Sequence, residues 1–104
     1  MNEQTLEQAM QLIFIAGNAK SKAMEAIGKA ENGELEEAAA DLKASRKELH
    51  QAHKIQTDML TTEMNGEMLE KTILLIHAQD HFMAANTTID LAEKFLHIYQ
   101  KMEA

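Results

Sequence analysis

Cysteine and proline are both absent from this 104-residue sequence, and glycine occurs only four times. Without cysteine the chain has no disulfide framework and no thiolate chemistry. With no proline and little glycine, long helices meet few interruptions, and the abundant alanine, glutamate, leucine, methionine, lysine and glutamine are strong helix formers. We therefore predict a single all-α domain over residues 1–104.

Basic residues and long apolar runs are also scarce. Ten lysine and arginine residues stand against 17 acidic ones, which gives a net charge of −7. This balance argues against nucleic-acid binding; it would suit a basic protein partner, or serve solubility alone. Apolar runs such as residues 73–76 are too short to cross a membrane, and the amino terminus lacks the layout of a signal peptide. We expect a cytoplasmic protein without direct membrane insertion.

Two Asn-Gly pairs divide the sequence into three segments of similar length. Asn32-Gly33 and Asn65-Gly66 each predict a helix end and a tight turn, with glycine in the left-handed cap position. The predicted helices cover about residues 3–31, 34–64 and 67–102. Because such short connections place consecutive helices antiparallel, we predict an up-down-up three-helix bundle.

Apolar residues recur at helical spacing in the first two segments. In the first segment, an apolar row lies beside a row of small residues that would let another helix approach closely. The apolar row contains Leu6, Met10, Ile13, Met24 and Ile27, and the small row contains Ala9, Ala16, Ala19, Ala23, Ala26 and Ala30. In the second segment, His53 and Gln56 are polar members of an apolar row. We interpret these two residues as candidates for hydrogen bonds in a pocket or an interface.

The third segment is apolar around most of its circumference between residues 73 and 83. Its main stripe contains Leu69, Ile73, Ile76, Asp80, Met83, Thr87, Leu91, Phe95 and Ile98. A helix that is apolar on nearly all sides should be covered on nearly all sides, and one three-helix bundle can cover only part of it. We therefore expect the third helices of several copies to pack together, although single exposed apolar residues are also common.

The run His77-Ala78-Gln79-Asp80-His81 contains the side chains best suited to chemistry. His77 and His81 are four positions apart and share one helix face. Asp80 lies on the apolar stripe, where a carboxylate needs a cation, a metal or a proton to compensate it. If an oligomer axis passed near this stripe, copies of Asp80 would repel one another unless a divalent cation lay between them.

Spacing alone leaves three interpretations of the histidines open. A neutral imidazole is a nucleophile near neutral pH, so His77 could attack phosphorus and form a phosphoramidate. Together with Asp80, His77 and His81 could instead bind zinc in a metal-binding helical bundle or a metal-dependent hydrolase. They could also be structural histidines in an adaptor without chemistry.

Residues 76–83 (Ile-His-Ala-Gln-Asp-His-Phe-Met) closely resemble the signature of the lactose/cellobiose-type enzyme IIA proteins of the bacterial phosphotransferase system. Residues 16–22 and 52–60 resemble the corresponding blocks of that family in the first and second helices, and the turn at residues 31–35 also agrees. The resemblance covers essentially the whole chain in matching order. Phe82, where leucine is expected, is a small departure.

This resemblance implies a homotrimer of three-helix subunits, a nine-helix assembly, in which His77 is the phosphoryl acceptor. It implies that Asp80 from each of three subunits binds a divalent cation, Mg²⁺, on the threefold axis. His81 would balance charge beside His77, and Gln79 would belong to the same pocket. The family implies the phosphocarrier protein HPr as donor and a cysteine of the sugar-specific enzyme IIB as acceptor, with the sugar imported by the membrane enzyme IIC. We expect cellobiose or chitobiose rather than lactose.

Overall fold

A computed structural model of the chain describes residues 1–103. All regular secondary structure within them is helical, with α1 at Glu3–Glu31, α2 at Leu35–Met64 and α3 at Ile73–Glu103. The three helices form an elongated bundle that extends over 53 × 19 × 17 Å. The predicted all-α three-helix bundle is confirmed; Ala104, the last residue of the predicted domain, lies outside the described residues.

The two Asn-Gly turns connect the helices where the sequence predicts them. Gly33 and Gly66 have φ angles of 83° and 91°, a conformation that glycine adopts far more readily than other residues. After α1, the Gly33 amide donates to the Ala30 carbonyl at 3.1 Å, and the Glu34 amide donates to the Lys29 carbonyl at 2.9 Å. These bonds satisfy carbonyl groups of the last turn of α1 and allow the chain to reverse direction.

The third helix begins at Ile73 and not near residue 67, which differs from the sequence-based prediction. Thr72 is the residue that precedes the helix, and its hydroxyl accepts a hydrogen bond from the Leu75 amide at 3.1 Å. The Thr72 carbonyl also accepts from the Ile76 amide at 3.0 Å. A threonine in this position satisfies a donor of the first turn and fixes the start of the helix.

The bundle is centred on α1, which packs extensively against both other helices, whereas α2 and α3 contact each other less. The predicted row of small residues is buried: Ala9, Ala16, Ala19, Ala23, Ala26 and Ala30. Alanine methyl groups permit close approach, and Ser45 Oγ on α2 donates to the Ala19 carbonyl at 2.6 Å. Leu6, Met10 and Met24 of the neighbouring apolar row remain exposed. The packing face of α1 therefore consists mainly of small residues, together with the completely buried Leu12.

α1 and α3 run in the same direction, with α2 antiparallel to both. Gly17 lies near His81, and Gly33 lies near Glu103, so residue numbers increase together along α1 and α3. This arrangement sets Gly17 and its neighbours beside the histidine pair of α3.

An apolar stripe of α3 stays exposed in the subunit, as the pattern of the third segment predicts. Its members are Ile73, Ile76, Met83, Leu91, Phe95 and Ile98. Their exposed fractions run from 42% for Phe95 to 86% for Ile73. An exposed row of large apolar side chains along one helix is typical of an association site. None of the helices in residues 1–103 is long and apolar enough to cross a lipid bilayer.

Candidate functional site

His77 and His81 lie side by side near the start of α3. His77 is exposed and His81 is half-buried. Their Nε2 atoms are 3.0 Å apart, and the two rings meet edge to face at 74° with centroids 4.4 Å apart. One Nε2 donates a hydrogen bond through its N–H group, and the other Nε2 accepts this bond through its lone pair. The i, i+4 spacing therefore produces a hydrogen-bonded pair, as helix geometry allows.

His77 is also close to the amino-terminal end of α3, one turn after Ile73. Side chains of an α-helix lean toward its amino terminus in general, and the Nε2 atom of His77 is held 3.0 Å from that of His81. The amino-terminal end of a helix carries partial positive charge and favours anions. A negatively charged group attached to His77 would therefore lie in a favourable field.

On its other side His81 lies against α1. A Cβ atom at Gly17 would be 3.8 Å from Nδ1 of His81, an ordinary van der Waals contact, so the imidazole packs directly against this position of α1. The cleft between α1 and α3 at this point is lined by Gly17, Lys20, Ser21, Met24, Glu25, Asp80, His81 and Ala84. Gly17 was not predicted as a site residue, although a glycine in the middle of a helix often marks a close approach.

Among residues 1–103, Lys20 is the one lysine in the lining of this cleft. Lys20 is exposed and shares the cleft with His81. Lys22, two positions further along α1, is instead paired with Glu48 of α2. Of the two lysines of this segment, only Lys20 therefore lies on the side of α1 that faces the histidines.

Asp80 is exposed on the apolar stripe of α3. Within the described range 1–103, its carboxylate takes part in no hydrogen bond and no ion pair. In the same range no three His, Asp or Glu side chains are grouped closely enough to bind one metal ion. The described part of a single subunit therefore contains no zinc site built from His77, Asp80 and His81 together, although Asp80 and His81 line the same cleft.

Gln79 lies on the α2 side of α3, away from His81. Its Oε1 accepts a hydrogen bond from Gln56 Nε2 at 3.0 Å, and its own Nε2 is 3.9 Å from Met59 Sδ. The hydrogen bond expected of Gln56 thus forms with Gln79 and links α2 to α3. A pocket role for Gln79 beside His77 stays a prediction.

His53 lies outside the histidine pair of α3. It is exposed on α2, and its ring stacks on Phe82 with centroids 5.8 Å apart and an angle of 30°. Phe82, which stands where leucine is expected, is 4% exposed and belongs to the core. The departure from the family signature is therefore accommodated by packing between α2 and α3.

Phe14 is an exposed aromatic residue that was not predicted to belong to the site. Its exposed fraction is 76%. Because α1 and α3 are parallel and Gly17 lies beside His81, Phe14 stands about one turn earlier, at the level of His77. Exposed aromatic side chains are frequent anchors in protein–protein interfaces. Its signal in the sequence is an aromatic residue within the apolar run at residues 12–16.

The chain is similar to known proteins along nearly its whole length. Residues 7–100 match the family model described as "PTS system, Lactose/Cellobiose specific IIA subunit". The chain is 42% identical to the lichenan-specific phosphotransferase enzyme IIA component of Bacillus subtilis (strain 168), covering 98% of this chain and 93% of that protein. The crystal structure of the PTS cellobiose-specific enzyme IIA from Bacillus anthracis matches with a TM-score of 0.94 and 40% identity, covering 99% of this chain and 94% of that one. The IIA(Chitobiose)–HPr complex of the Escherichia coli phosphotransferase system matches with a TM-score of 0.84 and 29% identity, covering 99% and 100%.

Proposed function

The chain belongs to the lactose/cellobiose-specific IIA subunit family of the phosphotransferase system, and from this premise we propose that it carries a phosphoryl group on His77. The observation that supports His77 is its exposed ring, hydrogen-bonded to His81 near the amino-terminal end of α3. An exposed nucleophile can meet a protein donor, and the half-buried His81 can remain fixed beside it during the transfer.

In the proposed reaction, a neutral ring nitrogen of His77 attacks the phosphorus of the phosphohistidine on HPr. The new phosphorus–nitrogen bond forms as the bond to the HPr imidazole breaks. The group then passes from His77 to a cysteine of enzyme IIB. The subunit contributes mainly positioning and charge balance, as is general for phosphoryl transfer. An N–H of His81 and the first turn of α3 supply positive character for the transferring oxygens.

We infer that Nε2 of His77 is the atom that becomes phosphorylated. It is 3.0 Å from Nε2 of His81, so a phosphoryl group on this atom replaces the hydrogen bond between the rings and can accept one from His81. Nδ1 of His77 keeps its proton in this scheme. Nitrogen-15 NMR of the phosphorylated chain distinguishes the two ring nitrogens, and phosphorylation at Nδ1 would contradict the inference.

HPr is the proposed donor, and enzyme IIB, together with the membrane enzyme IIC, is the proposed downstream partner. One similar structure is a complex with HPr, and Phe14 provides exposed apolar surface at the level of His77. The net charge of −7 suits a basic partner. Similar proteins are named for lichenan, cellobiose and chitobiose. We therefore propose a β-linked disaccharide, cellobiose or chitobiose before lactose, as the imported sugar, with this subunit acting in the cytoplasm.

We further propose that three subunits assemble with the exposed stripes of their α3 helices around a threefold axis. The apolar stripe supports this proposal, since residues such as Ile76 and Met83 are 59% and 54% exposed in one subunit. Asp80 lies between these two residues and has no partner among residues 1–103. Carboxylate oxygens are ligands that Mg²⁺ prefers, so three copies of Asp80 fit such a cation. When bound, Mg²⁺ would offset the repulsion between the three carboxylates.

A reconstitution experiment tests the proposed function. The chain is incubated with phosphoenolpyruvate, the first enzyme of the system and HPr, and the phosphoryl group on the chain is measured. We expect an acid-labile phosphoryl group that needs HPr and that leaves the chain when enzyme IIB is added. A folded chain that stays unmodified with all components present would contradict the proposal. Growth of a deletion strain on cellobiose, chitobiose and lactose identifies the sugar.

A further inference from the structure

The two Nε2 atoms of His77 and His81 have the separation of two nitrogen ligands on one metal ion. They are 3.0 Å apart in the structure. Zinc–nitrogen bonds of about 2.0–2.1 Å place two tetrahedral ligands about 3.3 Å apart. Two nitrogens at a right angle in a tetragonal copper(II) site are about 2.9 Å apart with similar bond lengths. The observed distance lies between these values, so the two nitrogens already have the separation of a chelate, and each ring has only to turn until its Nε2 lone pair points at the metal.

We propose that Nε2 of His77 and Nε2 of His81 together bind a transition-metal dication, zinc or copper(II), and that the bound metal prevents phosphorylation of His77. Neutral imidazole is the preferred ligand type for both metals. Each ring carries one proton, and in the chelate both rings carry it on Nδ1. The ring that donates the hydrogen bond therefore moves its proton from Nε2 to Nδ1 by exchange with water, both Nε2 lone pairs become free for the metal, and no net proton is released.

The proposed site differs from a structural or a catalytic zinc site because it has only two protein ligands. Structural zinc sites usually have four protein ligands and catalytic sites have three. Within residues 1–103 no group of three His, Asp or Glu side chains could supply a third ligand to the histidine pair. His77 is exposed, so water can complete the coordination. Two protein ligands with water in the other positions make binding reversible, and the metal acts as a competitor and not as a permanent component.

The site also differs from the proposed Mg²⁺ site on the trimer axis. That site offers carboxylate oxygens from Asp80, which suit a hard cation, whereas the histidine pair offers nitrogens, which suit zinc or copper. The net charge of −7 raises the local concentration of either cation. Excess magnesium should therefore fill the axial site without displacing zinc from the histidines.

Metal binding and phosphorylation exclude each other because both use the lone pair on Nε2 of His77. A chain loaded with zinc cannot attack the phosphoryl donor, and a phosphorylated chain cannot form the chelate. This consequence rests on the proposed function, whereas the chelation itself rests only on the geometry of His77 and His81.

Calorimetric titration of the full chain with zinc chloride, in excess magnesium, tests the chelate. We expect one site per chain whose affinity falls by about tenfold or more in His81→Gln, since even changes outside the first ligand shell weaken metal sites by about 10–100-fold. The matched control is His50→Gln, which removes an exposed histidine of α2 and should leave the affinity unchanged. Equal zinc affinity in the wild-type chain and a helical, folded His81→Gln, or in His77→Gln, would overturn the proposal.

A single-turnover transfer from purified phospho-HPr tests the consequence for the reaction. Zinc should slow phosphorylation of the wild-type chain, and a chelator should restore it. His81→Gln should transfer more slowly but lose its sensitivity to zinc, and HPr is common to both reactions, so an effect on HPr would affect both equally. A wild-type chain that is not phosphorylated even without zinc contradicts the proposed function alone. Zinc that binds through both histidines without slowing transfer overturns the proposed competition.

Discussion

Gly17 of α1 faces His81 of α3 so closely that a Cβ atom at Gly17 would lie 3.8 Å from Nδ1 of the imidazole. This distance is an ordinary van der Waals contact for a methyl group and leaves no room for a longer side chain in the same direction. Gly28, in the same helix, has nothing within 4 Å of its own Cβ position. The two glycines therefore form a matched pair for testing whether the position of His81 matters.

Leucine at Gly17 should displace His81 and slow phosphoryl transfer from HPr by roughly 10–100-fold, because small displacements of reacting groups have effects of this size. Leucine at Gly28 should leave the rate unchanged. Alanine at either position should raise the free energy of unfolding by about 0.5–1 kcal/mol. Single-turnover rates and urea denaturation of the four variants measure these effects, and equal rates for the two leucine variants would contradict the proposed role of His81.

Thr72→Ala should destabilise the start of α3, the helix that carries His77. The hydroxyl of Thr72 accepts a hydrogen bond from the Leu75 amide, and loss of such a cap lowers the free energy of unfolding by about 1 kcal/mol. Thr61→Ala is the control, since Thr61 is exposed on α2. Urea denaturation gives the stabilities, and hydrogen exchange at the Leu75 amide should accelerate only in Thr72→Ala. An unchanged exchange rate there would show that the cap does not form.

Ala19→Leu should destabilise the bundle by about 1–3 kcal/mol or more, because overpacking a filled core forces neighbouring groups apart. Ala19 is completely buried, and its carbonyl accepts the hydrogen bond of Ser45. The control is Ala40→Leu, at an exposed position of α2, which should change stability by less than about 0.5 kcal/mol. Thermal melting of both variants checks this prediction, and a similar small effect for both would contradict the close approach of α1 and α2.

Removal of the proposed axial cation should lower the melting temperature of the proposed trimer and weaken its association in sedimentation experiments. A cation bound only by the assembled state stabilises that state by mass action. Asp80→Asn should melt at a lower temperature than the wild type in magnesium and should not respond to EDTA. Asp58→Asn, at an exposed position of α2, should behave as the wild type does. If Asp80→Asn instead raised the melting temperature in magnesium, the carboxylates would repel without a cation between them.

The number of helices and their turns could be predicted from the sequence, whereas the start of α3 could not. Gly33 and Gly66 adopt positive φ angles. An Asn-Gly pair is a signal for such a turn that can be recognised from the local sequence alone. Residues 67–71 consist of good helix formers but lie outside the helix. Their conformation depends on the cap at Thr72 and on an ion pair such as Lys71–Glu63, contacts that intrinsic propensity does not contain.

The histidine pair could be predicted from spacing, but the surroundings of the pair could not. Helical periodicity places His77 and His81 on one face and turns Gln79 to another. Which neighbouring helix covers each face depends on how the three helices are arranged around one another, and the pattern within α3 does not specify this arrangement. The contact of His81 with Gly17 and the hydrogen bond of Gln79 with Gln56 therefore emerge only from the structure.

The most direct test of the central proposal is phosphorylation of His77→Ala by phospho-HPr, measured as an acid-labile mass increase on the intact chain. His97→Ala, which removes another exposed histidine of α3, is the matched control, and circular dichroism and sedimentation check that both variants keep their helices and their assembly. We expect one phosphoryl group per chain on the wild type and on His97→Ala, and none on His77→Ala. A phosphoryl group that persists on a folded His77→Ala would contradict the assignment of His77 as the acceptor.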